Sequence, residues 1–242
     1  RRPYVLTHYG TEIWHHDGRN PAFQAMNRNA RHVTFYSAGL LARARELNVP
    51  FREASVVYPA VDILFSPLPP SERQAVRAPL VGSGETLLFN VKRLHPLADH
   101  ATLLRAFALL DPLQVKAKLV IAGSGDERGA LETLAQELGI SSRVRFLGLV
   151  PNHEVAKLHA AADLFVLSSR LEATPTVVLE ALACGTRVVS TDNPGGVELG
   201  GMFPDDLRIV PREDPRALAD GIGASWRGKR RISERTSRLT DE

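Results

Sequence analysis

The order of its segments constrains this chain more than any other feature. From Thr86 onward, short apolar runs alternate with amphipathic stretches. Strands are expected at Leu87–Val91, Lys118–Ala122, Val144–Leu147, Leu164–Leu167 and Arg187–Ser190, and helices at Ala101–Leu110, Glu127–Leu138, Glu154–Ala162 and Thr176–Cys184, which complete the regular part. Strands separated in this way cannot pair through hairpins, because parallel neighbours need crossover connections of a dozen residues or so. The expected fold class is therefore α/β: a Rossmann-like parallel sheet with helices on both faces, whose ligands lie beyond the carboxyl ends of the strands.

The same alternation appears earlier, with strands near Tyr4–Thr7, Val33–Tyr36 and Ser55–Tyr58 and helices around Ala22–Ala30 and Gly39–Leu47. Between the two series, Pro59, Pro67, Pro69, Pro70 and Pro79, with Gly82 and Gly84, predict an irregular linker. The expected organisation is a first unit over 1–65, a linker over 66–85, a second unit over 86–225 and a basic tail over 226–242. Because the chain opens with Arg1 and runs straight into a strand, it reads as a fragment of something longer.

Composition narrows the function classes. A hydrophobic content of 44% with 24% charged residues is that of a folded globular protein. The net charge of +3 suits phosphate ligands, but with 6% aromatic residues there is neither a basic stripe nor a stacking platform for nucleic acid. The lone Cys184 excludes an internal disulfide and a multi-cysteine metal site, and agrees with a cytoplasmic location. No apolar run approaches the roughly 18 residues of a membrane-spanning helix. His15, His16 and Asp17 lack the regular spacing of metal ligands and read as a polar loop.

The stretch from Ser168 to Gly185 is the most informative chemically, reading as strand end, loop and helix. Thr174 is the expected N-cap, Pro175 the first helical residue and Gly185 the exit. A helix that starts just after a strand presents unpaired N–H groups carrying partial positive charge, a seat for phosphate, and Thr176 and Val177 are placed to donate them. Glu180, four residues beyond Thr176, shares its helical face about 5.4 Å deeper, where a ribose joined to that phosphate comes within reach. The rest of the helix is apolar nearly all round, so a carboxylate without a polar ligand is costly there. The alternatives for Glu180 are a solvent-facing side chain or a structural pair with an arginine.

In this setting Glu172 and Glu180 resemble the two acids of the E-x7-E signature of retaining glycosyltransferases of family four, the group 1 glycosyl transferases of GT-B fold. The likeness extends to Arg93-Leu94, Val120–Gly125, Val144–Gly148, Ala162–Ser168 and Asn193–Glu198. Residues 86 to 222 resemble the family's C-terminal domain, and residues 1 to 65 the end of its N-terminal domain, which is then incomplete. The resemblance implies transfer of a hexose from a UDP-, GDP- or ADP-sugar to a hydroxyl of a glycan or lipid-linked acceptor, with retention and without metal. It places Glu180 on the ribose, Thr176, Val177 and Arg93 on the diphosphate, and Glu172 beside the reacting carbon of the sugar. Backbone groups near Leu149 and Val150 are implied to read the base, and His8 to project toward the donor sugar. Taken alone, His8 can equally cap a strand end, and Gly123 to Gly125 can be a tight turn.

Three departures from the family pattern stand out. The lysine that usually follows the arginine by five residues is Ala98 here, which removes one charge-assisted contact, worth about 1.5 to 3 kcal/mol. Lys92, as a strand neighbour of Arg93, is expected to point to the opposite face and so not to replace it, while His100 and Arg187 are the other cations at hand. The first domain is short, and the tail carries Arg227-Gly228-Lys229-Arg230-Arg231, a solvated run or a peripheral contact with the inner face of a membrane. The competing functions are a form that binds nucleotide sugar without turning it over and a nucleotide-sugar epimerase.

Overall fold

The structure, a computed structural model, describes residues 2–15, 19–110 and 116–226. A first series of elements comprises β1 (Val5–His8), α1 (Thr11–Trp14), α2 (Pro21–Asn29), β2 (His32–Phe35), α3 (Ala38–Glu46) and β3 (Ala54–Val56). Then come α4 (Pro70–Arg77), β4 (Thr86–Val91), α5 (His100–Leu109), β5 (Ala117–Ala122), α6 (Arg128–Glu137), β6 (Val144–Gly148) and α7 (Asn152–Ala161). The chain continues through β7 (Leu164–Leu167), α8 (Thr176–Ala183), β8 (Val188–Thr191), α9 (Pro194–Met202), β9 (Leu207–Val210) and α10 (Pro215–Trp226).

Two parallel sheets result, as the alternation predicts: β1-β2-β3, and a larger sheet in the order β6-β5-β4-β7-β8-β9. The larger sheet is buried on both faces, which is why its central strands read as unbroken apolar runs instead of alternating. Leu87, Phe89 and Phe165 face a core closed by α7 and α8, while Leu88, Leu119, Ile121 and Val166 face one closed by α5, α6 and α10. Its strand order reverses between β4 and β7, and at such a switch point diverging loops leave a crevice at the carboxyl ends of the strands. Among the described residues no helix is long and apolar enough to cross a membrane.

The predicted linker departs from expectation, because it holds the eight-residue α4. Its prolines bracket the helix: Pro69 and Pro70 stand at the start, where a missing N–H is harmless, and Pro79 just past the end. Arg73 and Arg77 of α4 pair with Asp163 at 2.7 and 2.9 Å, which fastens the segment to the larger sheet. The regular part also extends beyond Ser190, through α9, β9 and α10. Four glycines hide α9, whose start is set by Asn193 accepting from Gly196 N at 2.8 Å and by Pro194 at the first turn. Leu218, Ala219 and Ile222 give α10 a helical apolar spacing that is present in the sequence. The basic run from Arg227 to Arg231 lies outside the described residues, as do His16 and Asp17.

The two sheets are joined by a few specific bonds. Glu198 of α9 accepts from Ala38 N and Gly39 N at the start of α3, at 2.8 and 2.9 Å, and from the Tyr58 hydroxyl at 2.5 Å. The carboxylate thus sits where the partial positive end of α3 favours it. Burial, together with this carboxylate, pushes the Tyr58 phenol up to about 12.

Candidate functional site

A cavity of about 890 Å³ opens at the carboxyl ends of β4, β5 and β6, against the side of α8. Its wall contains Lys92 and Arg93 after β4, Gly123 to Asp126 after β5, and Leu149, Val150 and Asn152 after β6, with Val177 and Glu180 from α8. The sequence separates these groups by up to ninety residues; the switch point brings them together.

Glycine makes this wall possible. Gly123 has φ +127°, and a Cβ there would lie 2.0 Å from the Lys92 carbonyl oxygen; at Gly125 it would lie 2.1 Å from the Leu94 oxygen. The β5 loop therefore presses directly on the chain after β4, held by Leu94 N donating to Ser124 O at 3.0 Å and Gly123 N to Gly148 O at 2.7 Å. Gly123 to Gly125 form a tight turn that is itself part of the cavity wall.

Helix α8 begins at Thr176, where its expected span begins, so the difference lies in the capping residues. Pro175 occupies the N-cap position without a side-chain bond, and Thr174 does not cap the helix: its hydroxyl donates to Tyr36 O across the sheets at 2.6 Å. Val178 N–H turns back to Pro175 O. With the side-chain cap absent, the amides of Thr176 and Val177 are the groups available for an anion. Val177 lines the cavity, whereas the Thr176 side chain is solvent-exposed and off its wall.

Glu180 is one-fifth exposed, on the cavity wall, with no arginine paired to it among the described residues. Desolvation pushes its carboxyl up to about 7, against the pull of the nearby Lys92 ammonium. Beneath it His159 is fully buried among Phe65, Phe89 and Phe165 and held neutral, its basicity lowered to about 3 by desolvation. The 3.8 Å between His159 Nε2 and Glu180 Oε2 exceeds a hydrogen bond. Glu180 is thus a carboxyl group facing an open cavity from an apolar floor.

Glu172 is largely buried on a neighbouring cavity of about 180 Å³, walled also by Tyr9, Trp14, Leu97 and Thr174. The loop that carries it is tied down at several points: Gly195 N donates to Glu172 O at 3.0 Å and Arg170 N to Leu97 O at 2.8 Å, with the Thr174 bond beyond.

Arg93, exposed on the cavity wall, has no carboxylate partner among the described residues. Ala98 is buried in a short 3-10 turn, its carbonyl accepting from Ser168 Oγ at 2.8 Å. His100 is fully buried, bonded to Asn90 at 3.0 Å and lowered to about 4 by burial, so it offers no cation. Arg187 lies on a different cavity beside Ser225. Lys92 is where sequence reasoning fails. Strand β4 ends at Val91, so alternation no longer dictates its direction, and its Nζ reaches Glu172 Oε1 at 2.6 Å while lining the large cavity with Arg93. Two consecutive basic residues at a strand's carboxyl end were the available signal.

His8 is not brought to either cavity. Its ring is 1% exposed, packed on Phe23 and Phe35, with Nε2 2.8 Å from Asn27 Oδ1 and Nδ1 3.2 Å from Glu12 Oε1. Glu12 also accepts from Tyr9 N and Gly10 N; despite desolvation, these bonds hold its carboxyl near 2. The pair shapes the turn after β1, with the His8 ring turned into the core of the first unit.

Residues 72–231 match the model of the family described as glycosyl transferases group 1. The chain is 30% identical over 238 residues to an uncharacterised glycosyltransferase of Methanocaldococcus jannaschii, covering 92% of this chain and 60% of that one. It is 41% identical over 140 residues to the D-inositol 3-phosphate glycosyltransferase of Corynebacterium jeikeium, covering 55% and 33%. It thus spans from a third to three-fifths of the length of these relatives. Among solved structures, Anabaena HepE in complex with UDP and glucose superposes with a TM-score of 0.84 at 24% identity, over 100% of this chain and 66% of that one. Sucrose-phosphate synthase from Thermosynechococcus elongatus gives 0.83 at 22% identity, over 100% and 63%. These likenesses establish the GT-B type of fold, and the family match establishes that the chain belongs to the group 1 glycosyl transferases.

Proposed function

We propose that this chain carries the donor side of a retaining glycosyltransferase that moves a hexose from a nucleoside diphosphate sugar to an acceptor hydroxyl. The observation that carries the reading is the convergence, on one cavity, of an arginine with no carboxylate partner among the described residues, the amide end of α8 and Glu180 one turn deeper. In this reading the second unit, 86–225, is the donor half, and residues 1–65 belong to the acceptor-side domain. The base lies over Leu149, an apolar side chain left 82% exposed at the cavity rim, and Glu180 accepts the ribose hydroxyls. The diphosphate meets Arg93 and the amides of Thr176 and Val177. As the bond from the sugar carbon to the phosphate oxygen breaks, its electron pair passes to the diphosphate, and these fixed donors stabilise the charge that develops there. Glu172 faces the sugar from the adjoining small cavity.

Calorimetric titration with UDP, GDP, ADP and their glucose derivatives tests the donor half of this reading, and proton NMR of the first sugar anomer released from an α-linked donor tests the stereochemistry. Saturable binding of one diphosphate with an α product supports it. A β product would overturn retention, and failure of every nucleotide to bind would overturn the reading as a whole.

A further inference from the structure

We propose that Lys92 is an exchangeable cation: it is held by Glu172 when the cavity is empty and passes to the diphosphate when donor binds, leaving the Glu172 carboxylate free to face the sugar. The inference rests on the donor reading above and adds to it a diphosphate contact and a binding-linked switch in Glu172.

Four observations carry it. Lys92 stands beside Arg93 on the wall of the large cavity, while its partner Glu172 lies on the small one, so the ion pair occupies the boundary between the two spaces. The pair is short, 2.6 Å, and both side chains are largely but not wholly buried, at 28% and 13% exposure. A Lys–carboxylate pair in such a place is held only while no stronger anion competes, because each charge is partly desolvated and each needs a partner. The ammonium is a flexible point charge on a four-carbon stem, so it can change partner without backbone movement. Finally, Lys92 is itself seated firmly: its N–H donates to Ala122 O at 3.1 Å and its carbonyl is overlain by Gly123, so the stem starts from a fixed point while the head stays free to move.

Glu180 does not compete for this cation, since it makes no ion pair with it, and His100 is buried against Asn90. Among the described residues the acids around Lys92 are Glu172 in contact, with Glu180 and Asp126 on the wall of the large cavity. A diphosphate placed between Arg93 and the start of α8 becomes the strongest anion within reach of the ammonium.

The test is calorimetric titration of the chain and three variants, Lys92→Met, Lys92→Arg and Glu172→Gln, each with UDP and with uridine, and with GDP/guanosine and ADP/adenosine if UDP does not bind. Lys92→Met is expected to weaken the diphosphate by about 10- to 100-fold with nucleoside affinity unchanged, and Lys92→Arg to recover most of the loss. Glu172→Gln is expected to tighten the diphosphate by a few-fold, because Lys92 no longer has to leave a protein partner, and this gain should vanish in the Lys92→Met/Glu172→Gln double variant. Unchanged diphosphate affinity in Lys92→Met, an equal loss for nucleoside and diphosphate, or a Glu172→Gln gain that persists without Lys92 would each overturn the exchange while leaving the donor reading intact. A wild-type chain that binds none of the three diphosphates would overturn both.

Discussion

Glu172 and Glu180 stand eight residues apart, one on a loop and one on the helix that follows it, and the protein treats their charges in opposite ways. Glu172 is given a cation, Lys92 at 2.6 Å, on a loop tied to neighbouring segments by backbone bonds. Glu180 is given none in contact; desolvation pushes its carboxyl up to about 7, and the imidazole beneath it is neutral. One acid is thus satisfied by the protein itself, and the other has no cation in contact among the described residues. An under-satisfied polar group on a rigid element is a cost in the free protein and a source of affinity in the complex, so the contrast marks where binding energy is held ready.

The comparison can be broken at either end. The largest effect is expected at the satisfied end: if Glu172 faces the sugar, as proposed, Glu172→Gln should lower sugar transfer by about 100-fold or more while nucleoside affinity stays within about twofold. Steady-state kinetics alongside nucleoside titration reads both; a parallel loss of nucleoside binding would mean that the loop holds the whole cavity in shape.

At the other end the sign reverses. The folded-state pKa of Glu180 is raised from 4.5 to about 7, so between these values the unfolded chain has released a proton that the folded chain still holds. Stability is therefore lost as pH rises from about 4.5 to about 7 and stays lost above it. Glu180→Gln removes that loss and should stabilise the ligand-free protein by about 1–3 kcal/mol at pH 8, with little change at pH 4. Urea unfolding at the two pH values checks this, and destabilisation at pH 8 would show that Glu180 has a structural partner.

The smallest effect is expected away from both acids. Tyr58→Phe removes one of the three bonds to Glu198 that join the sheets and should cost about 0.5–1.5 kcal/mol, with donor affinity unchanged. A large loss of affinity would mean that the sheet junction, not the cavity alone, sets the site.

The same contrast explains what could be read from the sequence. Glu180 was legible because it follows from local geometry: Thr176 and Glu180 share one face of a helix that starts after a strand, and the apolar runs of β4, β5 and β7 announce a sheet buried on both sides. Lys92 was misjudged because the alternation rule stops at Val91, where the strand stops. Thr174 was misjudged because a carbonyl 138 positions away, on Tyr36, competes for its hydroxyl. The position of the His8 ring depends on Asn27, a partner supplied by another element. In α9 three of the four glycines that depress helix propensity, Gly195, Gly196 and Gly200, also admit close approach, a Cβ at Gly195 lying 2.5 Å from Ala173 O. Features set by period and capping were readable, and those set by a single long-range partner were not.

The central claim is that Glu180 is the unsatisfied acid awaiting a ribose. Its most direct test is the affinity of a nucleoside diphosphate against that of its 2′,3′-dideoxy counterpart, measured for the wild-type chain and for Glu180→Ala. The account predicts that the wild type prefers the ribose form by about tenfold or more and that the variant loses the preference. A preference of equal size in both proteins would contradict it.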